Sequence, residues 1–318
     1  KEYGLEPVMT LWHFTHPQWF EDEYGWHDDR SVEKFTEYVE KVTQEFGEEI
    51  EYWITLNEAN AWVRPAYGVT NVMPFVGLDR NWPSGSEGFS PVKGWKAYQN
   101  LKEAHREAYQ IIHENVDDPK VGTATAVGAW RNPQGGLFAE KAKDMLSFIE
   151  YKDWINSTAE NSDFIGVNHY APIDVDLSEI AKEAGILSGE TRYEENDLGW
   201  PVDVGSLEDA LRDVSKMDAV EKQDIPLFVT EHGAADKDDE IRPRLVSEAV
   251  DIVEENKENF NIIGYLHWSL LDNFEWDEGF WPRFGLVEAD SETNERKLRK
   301  SAEVYSDKLN ELSELDAE

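Results

Sequence analysis

Two glutamates stand at the ends of apolar, β-branched runs. Tyr52-Trp53-Ile54-Thr55-Leu56 leads into Asn57-Glu58, and Leu227-Phe228-Val229-Thr230 leads into Glu231-His232-Gly233. Burying a carboxylate without a partner or a proton is costly, so a buried strand that delivers one at its tip calls for a chemical reason. Two such carboxyl groups suit glycoside cleavage, where one protonates the leaving oxygen and the other attacks the sugar carbon or activates water. A separation of about 5–5.5 Å retains configuration, and about 6.5–9.5 Å inverts it. Further candidate strand ends carry His13, Asn168 with Tyr170, and Trp268. Aromatic residues near those ends (Trp12, Trp62, Trp268, Trp276, Trp281) offer flat faces to sugar rings. Asn, His and Glu side chains can pair with adjacent hydroxyls. The competing chemistry is a carboxylate–histidine metal site drawn from His13, Glu58, His169, Glu231 and His232. It lacks a His pair at helical i, i+4 spacing and any dense cluster.

These residues need elements to hold them. Hydrophobic spacing predicts strands over 5–12, 52–56, 121–127, 164–168, 227–230 and 262–267. It predicts helices over 28–46, from Pro91 to about Asn115, over 137–158, 207–220, 242–260 and 296–312. Long loops are expected after Glu58 (with Trp62, Tyr67, Phe75, Trp82 and Phe89), over 174–204 and over 271–284. Near-continuous apolar strands alternating with helices imply a parallel sheet covered by helices. A doubly wound sheet would bring a Gly-rich phosphate loop, and neither GxGxxG nor GxxxxGK[ST] occurs. Residues 1–318 therefore read as one α/β domain of the (β/α)8 TIM-barrel type, in which strand ends converge on one mouth and Glu58 and Glu231 face each other.

The charge balance narrows the partners. Lys and Arg number 30 against 67 Asp and Glu, a formal charge of −37. That repels nucleic acid and anionic membrane. At 40% hydrophobic and 12% aromatic residues the chain can still build a core. The acids are spread over helix faces and loops, which points to the solvated surface of a protein from a high-salt cytoplasm, with an acidic mesophile protein as the alternative. There is no cysteine, and no apolar run is long enough to span a membrane.

Several segments together resemble glycoside hydrolase family one, the retaining β-glucosidases and β-galactosidases. They are Thr55-Leu56-Asn57-Glu58, Thr230-Glu231-His232-Gly233 and the run from Trp268 to Trp276 (WSLLDNFEW). Leu11-Trp12-His13-Phe14 with Pro17, Asp163 to Asn168 with Tyr170, and Arg283-Phe284-Gly285 add to the match, and Tyr265-Leu266-His267-Trp268 is similar to archaeal members. The resemblance implies Glu58 as acid/base and Glu231 as nucleophile. It implies that Asn57 bonds the sugar 2-hydroxyl, that Tyr170 orients Glu231, and that Asn168 supports the acid/base region. It places His13, Trp268, Glu275, Trp276 and Phe284 around the sugar, with Trp268–Ser269 as a cis bond. It implies a β-glycoside substrate, unphosphorylated because Glu275 and Pro282 stand where phosphate ligands would be, and neither metal nor cofactor. The sequence departs from the pattern at Phe14, Ala59, His169 and His232. Taken singly, His13 and His169 also fit satisfied core histidines, Trp268 core packing, Tyr170 a strand-end anchor, and Glu275 a loop cap.

The strand at 5–12 matches the family's third, so strands three to eight are expected here and the domain is N-terminally truncated relative to the family. With the first two strands would go a sugar-binding Gln and an Arg beside the nucleophile. Three explanations offer themselves: a short form covered by another chain, an isolated fragment, or a piece whose front is supplied elsewhere. The expectation is a cytoplasmic retaining β-glycosidase, self-associating across its open side, with a non-catalytic sugar-binding remnant as the rival.

Overall fold

The computed structural model describes residues 3–67, 90–133, 135–175, 193–290 and 292–315. In chain order these form β1 (Val8–Trp12), α1 (Gln18–Glu23), α2 (Arg30–Phe46), β2 (Tyr52–Asn57), α3 (Ala59–Ala66), α4 (Pro91–Asn115), β3 (Lys120–Ala126) and β4 (Ala129–Arg131). Next come α5 (Leu137–Ser147), a π turn (Phe148–Lys152), α6 (Asp153–Thr158), β5 (Phe164–His169), β6 (Pro172–Asp174), β7 (Glu194–Glu195) and β8 (Pro201–Val202). The chain continues with α7 (Gly205–Ser215), α8 (Asp218–Glu221), β9 (Leu227–His232), α9 (Arg242–Asn256), β10 (Ile262–Tyr265), β11 (Val287–Ala289), β12 (Arg296–Leu298) and α10 (Lys300–Leu315).

The main sheet has six strands in the order β1-β2-β3-β5-β9-β10, which is also chain order, so each strand lies beside its predecessor in this sheet. β1 pairs β2 in parallel, with Trp12 opposite Leu56, and β2 pairs β3 in parallel. The sheet is open among the described residues, with β1 and β10 at its two edges, so the expected barrel is seen as an open parallel-type sheet. β5 and β9 are buried along their whole length, which is why their sequences read as unbroken apolar runs.

The chain divides into two compact units. The first comprises 1–126, 149–167 and 216–228; the second comprises 127–148, 168–215 and 229–318. In the first, consecutive residues of β2 point to opposite faces. Trp53 enters a core with Val39, Leu101 and Ile112, while Ile54 meets Ala124, Phe164 and Phe228. A buried polar tie crosses this unit. His105 bonds Thr55 Oγ1 at 2.8 Å and Ser162 Oγ at 3.2 Å, fastening α4 to β2. In the second unit α7 and α9 supply the buried Leu207, Leu211, Leu245, Val246 and Ala249.

Four expectations are corrected. Residues 59–66 form helix α3 where a loop was expected, because Pro65 lies in the last turn, where it ends the helix without preventing it. The helix expected over 207–220 is two, broken at Met217, whose backbone is extended (φ −68°, ψ 132°). Residues 296–298 form β12 against β11, and the last helix starts at Lys300. Residues 18–23 form α1, where no helix was expected. The expected loop over 174–204 lies outside the described residues at 176–192, as do Phe75, Trp82 and Phe89.

With a formal charge of −37, self-repulsion weakens the compact state until salt screens it. The thermal unfolding midpoint, followed by circular dichroism, is expected to rise steadily from low salt to about 1 M KCl, where the Debye length is about 3 Å. A flat or falling midpoint contradicts the high-salt reading of the surface.

Candidate active site

Glu58 follows the last residue of β2 and precedes the first of α3. Its backbone is left-handed (φ 46°, ψ 36°), a conformation that costs a non-glycine residue about 1–2 kcal/mol. Hydrogen bonds define the corner. Glu58 N–H donates to Ala124 O at 2.8 Å, and Glu58 O accepts from the N–H of Ala61 (3.0 Å) and of Trp62 (2.9 Å). Asn57 is buried and Glu58 half-buried. On the neighbouring strand end, Trp12 packs edge-on against Trp62, with ring centroids 5.1 Å apart. His13 follows Trp12, its ring edge-on to Phe14. Burial lowers its pKa from 6.5 to about 4, so it is neutral near pH 7. The first unit thus brings His13, Asn57 and Glu58 to the ends of two paired strands.

In the second unit, Glu231 lies at the buried end of β9, and the Tyr170 hydroxyl donates to its Oε2 at 2.6 Å. A short bond to a carboxylate is among the stronger neutral-to-charged contacts and fixes where the carboxylate points. The ring of Tyr170 is itself held edge-on by Phe284 (6.1 Å) and Trp200 (5.9 Å). Phe284, 2% exposed, supports Tyr170 from the core. The Thr230 hydroxyl donates to Asn168 Oδ1 at 2.6 Å, joining the tips of β9 and β5. Beyond β10, Trp268 N–H donates to His232 O at 3.0 Å, its indole Nε1 donates to Glu275 Oε1 at 3.1 Å, and its bond to Ser269 is cis. Burial raises the pKa of Glu275, and the indole bond opposes that rise. Trp276 is half-buried and starts a short 3₁₀ turn. Gly233 has a steric reason: a Cβ there would meet Trp268 O at 2.0 Å.

The residues that hold this loop are ones the sequence reading did not single out. Asp272 is buried and accepts from Gly285 N (2.9 Å), Ala289 N (3.3 Å) and both terminal nitrogens of Arg299 (3.0 and 2.9 Å). That two-pronged pair pins both ends of the segment carrying Glu275 and Trp276. Asp272 lies within the WSLLDNFEW run, directly after the apolar pair Leu270-Leu271, which was the available signal.

Two histidines change meaning. His169 places Nδ1 against Val127 O (2.8 Å) and Nε2 against Ser206 Oγ (2.7 Å), so its ring is committed to the fold and not to a metal. Among the described residues no group of three His, Cys, Asp or Glu is arranged to hold a metal ion. His232, a candidate for the metal site and a departure from the family pattern, adjoins Glu231 in the chain. Burial, with His169 and His267 nearby, holds its pKa well below 6.5, so it stays neutral beside Glu231. Its Nδ1 meets Tyr265 Oη at 3.1 Å.

A family model described as Glycosyl hydrolase family 1 matches residues 1–158 and 137–313. The galactolipid galactosyltransferase SFR2 of Arabidopsis thaliana is 28% identical over 319 residues, which is 95% of this chain and 47% of that protein. A β-galactosidase of Sulfolobus acidocaldarius is 30% identical over 342 residues, 95% of this chain and 65% of that protein. Among solved structures, the hyperthermophilic β-glucosidase from Pyrococcus furiosus superposes with a TM-score of 0.81 at 26% identity, covering 98% of this chain and 67% of that one. The chain spans about half the length of the plant relatives SFR2 (47% and 46%).

Burial lowers the pKa of His13, His105 and His169 to about 4, of His267 to about 3, and of His232 well below 6.5. Between about pH 6.5 and 4 the unfolded chain therefore binds protons at these sites and the folded chain does not. Their contribution to stability is complete above about pH 6.5 and is lost as pH falls toward 4. Urea unfolding midpoints are expected to drop across that window, and replacing His105 by Gln should flatten the drop; an unchanged slope in H105Q refutes the assignment.

Proposed function

The chain belongs to glycosyl hydrolase family 1, and on that premise we propose that it is a retaining β-glycosidase acting on terminal, non-reducing, unphosphorylated β-D-glucosyl or β-D-galactosyl residues. The observation that carries the reading is Glu231 at the buried tip of β9 with the Tyr170 hydroxyl fixed on its Oε2 at 2.6 Å. A hydroxyl bonded to a carboxylate oxygen fixes the orientation from which the carboxylate attacks. β-Galactosidase and β-glucosidase relatives of similar length coverage support the substrate class.

The reaction runs in two displacements. Glu231 Oε1 bonds to the anomeric carbon as the bond to the leaving oxygen breaks, and Glu58 gives its proton to that oxygen. Glu58, now a carboxylate, takes a proton from water as the water oxygen attacks the anomeric carbon and Glu231 leaves. Asn57 bonds the 2-hydroxyl, where the contact strengthens as positive charge develops on the ring. Trp268, Glu275, Trp276 and His13 hold the sugar. Trp268 also donates to Glu275 and so sets which oxygen of that carboxylate faces hydroxyl groups. Tyr170 and Phe284 hold Glu231, and Asn168 holds Thr230 beside it. No step calls for a metal or cofactor.

In molar salt, nitrophenyl β-glycosides should be hydrolysed with the β-anomer of the sugar formed first, as read by proton NMR. Glu231→Ala should abolish turnover and regain it with azide as the α-glycosyl azide, because azide then attacks once from the vacated side. Glu58→Ala should lower kcat for poor leaving groups by roughly 10²–10⁴-fold, and with azide give the β-azide. Absence of turnover with glucose still bound would instead make the chain a sugar-binding remnant. Self-association at the open sheet edges belongs to the same reading, because unpaired strand edges invite pairing. Light scattering in molar salt should give a mass above 36.6 kDa, and a monomer at every concentration removes that part.

A further inference from the structure

Two residues beyond Glu58, the side chain of Asn60 is 2% exposed and makes three hydrogen bonds. Its Oδ1 accepts from Ala126 N at 3.2 Å, and its Nδ2 donates to Ala126 O at 2.9 Å and to Glu150 O at 2.9 Å. In the first two contacts the amide exchanges both bonds with one residue, as paired residues of an antiparallel ladder do. It therefore ties the start of α3 to Ala126 at the end of β3, beyond Glu58, whose own N–H is bonded to Ala124 O. The third contact reaches the π turn Phe148–Lys152, where the helical ladder is irregular and carbonyls can face outward. One turn further along α3, Arg64 Nη2 donates to the neighbouring carbonyl of Ile149. The first turn of α3 is thus clamped to the end of β3 and to the π turn by side chains that meet no substrate in the reaction above.

Resting on the reading of Glu58 as acid/base, we propose that Asn60 is a positioning residue for proton transfer. It fixes the start of α3, and with it the left-handed backbone that aims the Glu58 carboxyl. The side-chain chemistry is specific. Asp cannot donate to Ala126 O or Glu150 O, and Ala leaves three buried backbone groups without that partner. A loosened corner would blunt acid assistance without touching the nucleophile. The loss should therefore grow with the basicity of the leaving group, since a good leaving group departs without a proton.

The test compares kcat/KM for 2,4-dinitrophenyl and phenyl β-glycosides in the wild type, Asn60→Ala, Asn60→Ser and Glu58→Ala. The ratio between the two substrates is independent of the fraction of protein that folds, and the serine variant serves if the alanine variant is insoluble. In Asn60→Ala the phenyl glycoside should lose about ten- to a hundredfold more than the dinitrophenyl glycoside, the scale on which small misplacements of a catalytic group act. Asn60→Ser should shift the ratio the same way and less. An equal loss on both substrates, or a ratio within about twofold of the wild type, overturns the proposal. If the wild type turns over neither substrate, or its ratio is indifferent to Glu58→Ala, the glycosidase reading has failed instead.

Discussion

A glutamate held in left-handed backbone at the end of a buried strand is the constraint on which the β2–α3 corner of the first unit depends. The conformation costs about 1–2 kcal/mol, so the surroundings must impose it. They do so with Glu58 N–H on Ala124 O and with three side-chain bonds from Asn60, each worth roughly 0.5–1.5 kcal/mol net. The balance favours the turn by a small margin. That is enough to end β2 at Asn57 and start α3 directly after Glu58.

The second unit holds its strand-end glutamate by different means. Glu231 ends β9 in ordinary extended backbone and is placed by what surrounds it: Tyr170 on its oxygen, Phe284 and Trp200 behind Tyr170, and Thr230 tied to Asn168. Gly233 allows the chain to pass within a methyl group's reach of the Trp268 carbonyl. The Asp272–Arg299 pair then anchors the loop that presents Glu275 and Trp276. The buried polar side chains of Asn168 and Asp272 each meet partners here, as the cost of leaving one unmatched demands.

Much of this was legible from residue order. β5 and β9 read as apolar runs because both faces are covered, and α4 could be read from Pro91 to Asn115 by its opening proline and its spacing. The misreadings share a cause, which is that local signals were outvoted by packing. Pro65 looks like a breaker but falls in a last turn, and Arg296 to Leu298 look helical but pair with β11. His169 and His232 looked chemical because histidine titrates near neutrality, yet burial keeps both neutral.

By itself the sequence pointed to the α/β class of fold and to two strand-end carboxylates, because strand periodicity and the TLNE and TEHG motifs are local properties of the chain. It also determined the acidic surface, which is a matter of counting. Only the tertiary structure decided how each carboxylate is held. Asn60 reaches residues 66 and 90 positions away, Tyr170 reaches Glu231 across 61 positions, and Arg299 reaches Asp272 across 27. Bonds between residues so distant in the chain leave no periodic trace, since each partner is a single polar residue whose purpose is set by what folding places beside it.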